Sequence, residues 1–461
     1  MTRLSKHHRR LLAAAAALAL GSASGAAFAV DLIAIGSLPG NGSDFSGQSA
    51  PLENGQRGDL LGGLGSGLTW AGGSTFLALP DRGPNAVAWN SAVDDTTSYI
   101  PRFHTLSLAL SATPDTKTGL PFTLTPTLLG TTLLYSRTAL AYGGTAGGFG
   151  AVPAANGANR FYFSGRSDNF NPATTSADSS DARLDPEGIR LARSGTTVFV
   201  SDEYGPYVYQ FDRATGARGR VTRLPAELAV ARKAAVGSTE ISANTSGRVA
   251  NKGMEGLAIS PDGKTLFAMV QSPLIQDGGD GGRYNRILKI DLASGATQQF
   301  VYDNYLADKS KTYNSSEILA LNEHELLVLE RDGKGRGDGS SAVVKRIYKV
   351  DLATGSDVSG KSGAATLAPY ALTKTLFLDI AAKLGAAGIK ATAIPAKLEG
   401  IAFGEDIVVD GVTRHTLYVG NDNDFLPTTA DGQDNPNQWF VFSFTDADLG
   451  GSVFVNQSFA R

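Results

Sequence analysis

A two-stranded unit that recurs along the chain constrains the fold more than composition does. In its clearest copy Asp185-Pro-Glu-Gly188 opens an extended run and Ser194-Gly195 turns it. A β-branched run, Thr196 to Val200, then returns to Asp202-Glu203-Tyr204. Each arm is about six residues, roughly 20 Å at a strand rise of ~3.3 Å, so Glu187 comes to lie beside Asp202 and Glu203. Met254-Glu-Gly-Leu257 repeats the unit and leads to Gln271. Ser316-Glu-Ile318 leads to Glu330-Arg331, and Leu398-Glu-Gly-Ile401 leads to Asn421-Asp422. A degenerate copy runs from Gly65-Ser-Gly-Leu68 to Asp81-Arg-Gly83. Three copies carry a third strand ending in Asp212, Asp291 or Asp351, each followed by Ala-Thr-Gly or Ala-Ser-Gly. A period of roughly 60–80 residues with several strands per copy is the mark of a radial β-repeat, so an all-β fold, a single β-propeller, is expected.

Five blades are legible. Strands between Phe103 and Ser136, with the Gly/Ala-rich and polar stretch 137–183 beyond them, supply material for another, so six blades are expected, with five or seven compatible with the count. The apolar run from Val30 completes the last blade beside Trp439 to Phe444, closing the ring and removing two exposed edges. Leu224 to Val236 reads as the best helical run and Leu376 to Leu384 as a weaker one.

The first 29 residues have a basic start, an apolar centre from Leu11 to Leu20, and a small-x-small ending at Ala27-Phe-Ala29. They read as a secretory signal peptide, with about ten apolar residues, too few to span a bilayer. Residues 30–461 then form the propeller domain of an exported protein, periplasmic or secreted, with no membrane span and expected as a monomer. The whole chain holds 41 basic and 44 acidic residues; loss of the segment's four basic residues leaves a net charge of −7. Mild acidity argues against nucleic acid or an anionic membrane as partner. There are no cysteines, so neither disulfides nor thiolate metal sites form.

The motifs Asp81-Arg-Gly-Pro84, Asp185-Pro-Glu-Gly188, Met254-Glu-Gly-Leu257, Leu398-Glu-Gly-Ile401 and Asn421-Asp-Asn-Asp424 resemble those of the phytase-like family described as having esterase-like activity. The resemblance runs from about Gly65 to Asp424 and implies ester or phosphoester hydrolysis without naming a nucleophile. The β-propeller phytases share the implied architecture and use calcium held by acidic residues. Lactonases of the gluconolactonase and regucalcin type likewise place glutamate, asparagine and aspartate around a metal at the tunnel.

The residues themselves narrow the chemistry. No serine sits in Gly-x-Ser-x-Gly, Arg-His-Gly is absent, and beyond residue 29 only His104, His324 and His415 remain, in unrelated positions. Oxygen donors are left, the ligands of hard cations such as calcium. In a propeller the first strand of each blade lines the axis, and its start shares a face with the end of the next. Glu187, Glu255, Glu317 and Glu399 are therefore expected to ring one mouth. Asp81, Asp202, Glu203, Gln271, Glu330, Asn421 and Asp422 are expected just outside them. Glu187, Glu255, Glu399, Asp81 and Arg82 are the candidate catalytic groups. Asp202, Glu203, Glu317, Glu330, Asn421 and Asp422 are candidate ligands of calcium. Arg82, Lys252, Arg331, Lys397 and Tyr204 are candidates for holding a small ester or phosphoester. Trp89, Tyr284 and Trp439 are open to substrate contact or blade packing, and the acidic loops 277–282, 332–341 and 431–435 read as ordinary turns. Two carboxylates 4 Å apart repel by about 4 kcal/mol at an effective dielectric near 20, so such a mouth needs a cation, basic neighbours or bound protons. The alternative to a hydrolase is a non-catalytic propeller that binds a ligand or another protein through this face.

Overall fold

The computed structural model describes residues 30–86, 96–142, 152–167, 178–232, 234 and 241–459. The first 29 residues, expected as a signal peptide, and Trp89 lie outside the described residues.

Four four-stranded antiparallel sheets and one five-stranded sheet form the blades; the extra strand of the latter, Ile407–Val409, pairs off the main path with the residues from Val412. From the axis outward the first blade is Gly67–Trp70, Thr75–Leu79, Arg102–Ser111 and Thr123–Leu133. The second is Pro186–Leu191, Thr197–Asp202, Tyr207–Asp212 and Arg218–Arg223. The third is Met254–Ile259, Thr265–Val270, Tyr284–Asp291 and Thr297–Asp303. The fourth is Asn314–Ala320, Glu325–Arg331, Lys345–Asp351 and Lys374–Asp379. The fifth takes Lys397–Phe403, Val412–Asp422 and Asn437–Phe444 from the C-terminal part, and its outermost strand is Asp31–Leu38.

The inner strands pack one against the next around the axis, the first blade's touching those of the second and the fifth. Among the described residues no sixth blade stands between them. The strands from Arg102 onward, read as material for another blade, are instead the outer half of the first. In 137–183 the described residues give only half of a small pair, Phe161–Tyr162 against Tyr135–Ser136. The helical expectations shift as well. Of Leu224 to Val236, residues 233, 235 and 236 lie outside the described residues, and the rest give one 3-10 turn, at Ala226–Leu228. Leu376 lies in a strand, and the helix comes later, at Ile380–Ala386, where the Asp379 side chain caps the Ala382 N–H.

Local chemistry explains the repeat. In the second blade the Asp212 carboxylate accepts from the N–H and the hydroxyl of Thr215, and Gly216 takes φ +76°. Asp291 does the same with Ser294, ahead of Gly295 at φ +77°. The glycine of the Glu-Gly motif has a separate role. A Cβ at Gly188 would stand 2.6 Å from the Leu257 Cβ, and one at Gly256 3.1 Å from the Ile318 nitrogen. Each such glycine lets its inner strand lie flat on the next one. Apolar clusters fill the wedges between blades; Leu79, Ile189 and Val200 belong to one, and Ile33, Leu68, Leu106 and Val441 to another.

At the end of the axis opposite the Glu-Gly motifs the C-terminal segment crosses the inner strands. Val455 N–H donates to Leu321 O at 2.9 Å and Gln457 Nε2 to Leu191 O at 2.7 Å, above a cavity of about 40 Å³. Among the described residues no helix is long and apolar enough to cross a membrane.

Candidate functional site

Each of blades two to five begins with a β-bulge in its inner strand. A bulge leaves one residue without a cross-strand partner and re-aims its side chain. Superposing the blades by register puts Ser66, Glu187, Glu255, Ser316 and Glu399 at equivalent positions, one per blade. At or just past the end of the second strand, Asp81, Glu203, Gln271, Arg331 and Asp422 form a second ring of five. The residue before each of these faces the other way, because side chains alternate along a strand.

The two rings share one mouth, as their mutual fields show. Glu187 is 8% exposed and has no hydrogen-bond or ion-pair partner among the described residues. Its carboxyl is held well above the usual range, by burial first and then by Glu255, Asp185, Glu203 and Asp81. Burial and then Glu203 and Glu399 raise Glu255 strongly, although Gln271 Nε2 donates to its Oε1 at 2.6 Å. Burial and Asp422 raise Asp81. Glu203 is pushed up to about 8, by burial and then Asp185. Ligand atoms of Asp185, Glu187 and Glu203 all lie within 4.8 Å of one another, and this buried cluster can hold a metal ion. Three carboxylates with no histidine or thiolate suit a hard cation.

Cations stand among the acids: Arg82, Arg331 and Lys397 make direct pairs, and Arg248 draws Glu203 down as well. Arg82 donates from its backbone N to Asp185 Oδ1 at 3.0 Å and from Nη1 to Asp185 Oδ2 at 2.9 Å; the same Nη1 lies 3.8 Å from Glu203 Oε2. Arg331 pairs with Glu399, and Lys397 with Asp422 at 3.0 Å and with Asp424. Burial opposes the charge on Arg82 and Lys397, yet their acidic neighbours, Asp185 and Asp422 foremost, raise both pKa values.

The other expected residues have different surroundings. Glu317 stands one position further along its strand than the three bulge glutamates, at the place of the motif glycine. It accepts from the N–H groups of Leu257 and Ile318 and pairs with Arg190 at 3.0 Å. Glu330 turns into the blade, accepting from the Tyr302 hydroxyl at 2.5 Å and from Lys374. Asn421 accepts from Gln438 N–H, and Asp202 from the N–H groups of Asp185 and Tyr204. Lys252 pairs with Asp280. Tyr204 is buried, and its hydroxyl donates to Gly165 O at 2.6 Å. Tyr284 stacks under Arg283, and Trp439 is core. In the acidic loops Asp277 pairs with Arg286 and Asp332 with Lys345.

Three site residues were missed. Asp185 opens the most conspicuous motif, but its pairing with Arg82 of another blade has no sequence signal. Asp424 is aimed at Lys397 by a turn in which Asp424 and Phe425 both take φ +53°. Ser316 occupies a glutamate position, its buried hydroxyl unpartnered. The signal there was the absent glycine: Glu317 is followed by Ile318, so the pair Ser316-Glu317, and not Glu-Gly, aligns with the other blades.

One mouth of the propeller thus gathers buried carboxylates around interleaved cations, groups that can hold a cation or an anion. The family model of phytase-like proteins, described as "Esterase-like activity of phytase", matches residues 59–425, and the chain belongs to that family. An uncharacterized secreted protein of Arthroderma benhamiae is 31% identical over 351 residues, which take in 65% of this chain and 63%, under two thirds, of that protein. Among solved structures, the periplasmic gluconolactonase of Pseudomonas aeruginosa is 12% identical, covering 94% of this chain and 98% of its own, at a TM-score of 0.32. The hydrazine synthase of Kuenenia stuttgartiensis is 11% identical over 82% and 80%, also at 0.32.

Proposed function

We propose that the protein is an exported hydrolase of phosphate or carboxylic esters, working at the carboxylate mouth with the help of a calcium ion. The observation that carries this is the Asp185–Glu187–Glu203 cluster, in which a nearly buried carboxyl has no donor and a guanidinium stands alongside. Asp185, Glu187 and Glu203 would hold the ion. When bound it supplies polarisation of a phosphoryl or acyl oxygen and neutralises charge that develops there.

The chain's own groups do the rest. Arg82 offers a forked pair of donors to the anionic oxygens of the ester. Glu255, oriented by Gln271 and left with a raised pKa, takes the proton of the attacking water. Arg331 and Lys397 hold Glu399, Asp422 and Asp424 in place and keep the far side of the bowl from being purely negative. The family membership supports ester chemistry, and a basic-apolar leader in a relative of a secreted protein supports export.

The test is turnover by purified mature protein on aryl phosphate monoesters, diesters, aryl carboxylic esters and a sugar δ-lactone, each with calcium and with chelator. Calcium-dependent hydrolysis of an open-chain ester is expected. Turnover of the lactone alone would select the gluconolactonase-type alternative. No turnover of any substrate would leave the propeller a binding module, and turnover indifferent to chelator would remove the ion from the mechanism.

A further inference from the structure

Arg82 stands where the cation would act. Both oxygens of Asp185 already hold a donor from this one residue, the backbone N on Oδ1 and Nη1 on Oδ2. The same Nη1 faces Glu203, the second member of the cluster, while Glu187, the third, has no partner among the described residues. The guanidinium thus neutralises two of three carboxylates from one side. A divalent cation placed among the three would meet it as a like charge at close range.

The remaining contacts of this guanidinium are replaceable. Its Nε is buried without a hydrogen-bond partner, Nη2 reaches only the Asn85 amide oxygen at 3.4 Å, and Nη1 also meets the Asn251 amide oxygen. Amide oxygens are neutral acceptors, and an anion's oxygens would take the same donors more strongly. The backbone, by contrast, is fixed. Gly83 N–H donates to Asp81 Oδ1, and the Tyr99 ring lies so close to Gly83 at φ +98° that no side chain fits there. Only the arginine side chain is free to change partners.

We propose that Arg82 is the built-in competitor of the cation: in the cation-free protein it fills the cation's place at Asp185 and Glu203, and on cation entry it passes to an anionic oxygen of the ligand. Resting on the cation-assisted reading above, this adds an order of binding and names the ligand as an anion of phosphate-monoester type. Cation and anion then bind with positive cooperativity, and the coupling is reciprocal. The opposing account makes Arg82 a pillar that holds the three carboxylates in position. The two accounts predict opposite signs when the arginine is removed.

The experiment is calorimetric titration of the mature chain with calcium near neutral pH, with and without excess methylphosphonate, for the parent, Arg82→Gln and Arg82→Lys. Without phosphonate, Arg82→Gln is expected to bind calcium about 10-fold more tightly than the parent, a change inside the usual coupling range. Phosphonate should tighten calcium binding about 10-fold in the parent and by under about 3-fold in Arg82→Gln, with Arg82→Lys between them. In the parent alone, calcium must tighten phosphonate binding by the same factor, a check that no failure of a variant to fold can remove. Calcium binding that is unchanged or weaker in Arg82→Gln, or an equal phosphonate effect in both proteins, overturns the inference while leaving a cation site in place. No calcium binding by the parent or by either variant overturns the cation-assisted reading and this inference together.

Discussion

At the scale of single residues the mouth is held against its own preference. Glu187 is desolvated, ringed by four acids and given no donor among the described residues, so its ionised form destabilises the fold. Its folded pKa lies above the unfolded value, so the folded chain binds the extra proton. That contribution is fully present below the ordinary glutamate range near 4.3 and is lost as pH rises through the raised value. Glu187→Gln should therefore raise the melting midpoint of chelator-treated protein at pH 8 and change it little at pH 4, while abolishing any calcium-induced stabilisation. Equal effects at both pH values would mean that Glu187 is not the strained group. His104 bears the opposite sign. Burial lowers its pKa to about 4, so the folded chain gives up a proton that the unfolded one keeps below 6.5. Stability should fall as pH drops from 6.5 towards 4, by up to about 3 kcal/mol at ~1.4 kcal/mol per pH unit, and His104→Gln should flatten that slope in a urea-melt series. Which inner-strand glutamates face the mouth was legible only where a second signal accompanied them. Glu187, Glu255 and Glu399 came with a glycine; Glu317 did not, and its register differs by one.

Among elements, the repeat carried most of the information. Inner and second strands of all five blades were readable because their apolar runs and turns recur at similar spacing. The first blade misled because residues 80–101 separate its second strand from its third, so its outer half looked like the start of another blade. The strand Asp31–Leu38 was legible as an orphan, and it pairs with Asn437–Phe444 from Ser443 to Asn437. Its apolar contribution goes into the wedge between the fifth and first blades, where Ile33 is buried among Leu61, Leu124 and Val441. Ile33→Ala should cost about 2–4 kcal/mol in denaturant unfolding, a large-to-small change in a packed core. A cost below about 0.5 kcal/mol, the range of surface changes, would show that the strand merely rests on the blade. The motif glycines make a second element-scale test. Gly188→Ala pushes a methyl against the Leu257 Cβ and within 3.0 Å of Glu255 O, and overpacking of this kind should cost about 1–3 kcal/mol.

For the molecule as a whole the question is what fixes five wedges around an axis and closes the tunnel below the site. One side chain does much of both. Arg190, on the second blade's inner strand, donates from Nη1 to Leu68 O of the first blade and to Ile189 O, each at 2.6 Å. From Nη2 it donates to Ile318 O of the fourth blade at 2.8 Å. Glu317 answers it at 3.0 Å and accepts Leu257 N–H of the third blade at 2.8 Å, so four blades meet at one buried ion pair beneath the ring. Glu317 is still pushed up to about 7, because burial outweighs the pull of Arg190. Its folded pKa exceeds the unfolded one, and its contribution is present below about 4.3 and lost as pH rises through 7. Arg190→Met removes the cation paired with Glu317, so its ionised form becomes a buried, uncompensated charge, a change that typically costs about 3–5 kcal/mol. The loss should be largest at pH 8 and smaller at pH 5, where the carboxyl takes up a proton. Adding Glu317→Gln keeps an acceptor for the Leu257 and Ile318 N–H groups while removing the charge, so the double variant should be more stable at pH 8 than Arg190→Met alone. Urea melts of the four proteins of this cycle at both pH values give the coupling directly. A loss from Arg190→Met that is independent of pH and not relieved by Glu317→Gln would place the tie between blades in the carbonyl bonds of Arg190 and not in the ion pair.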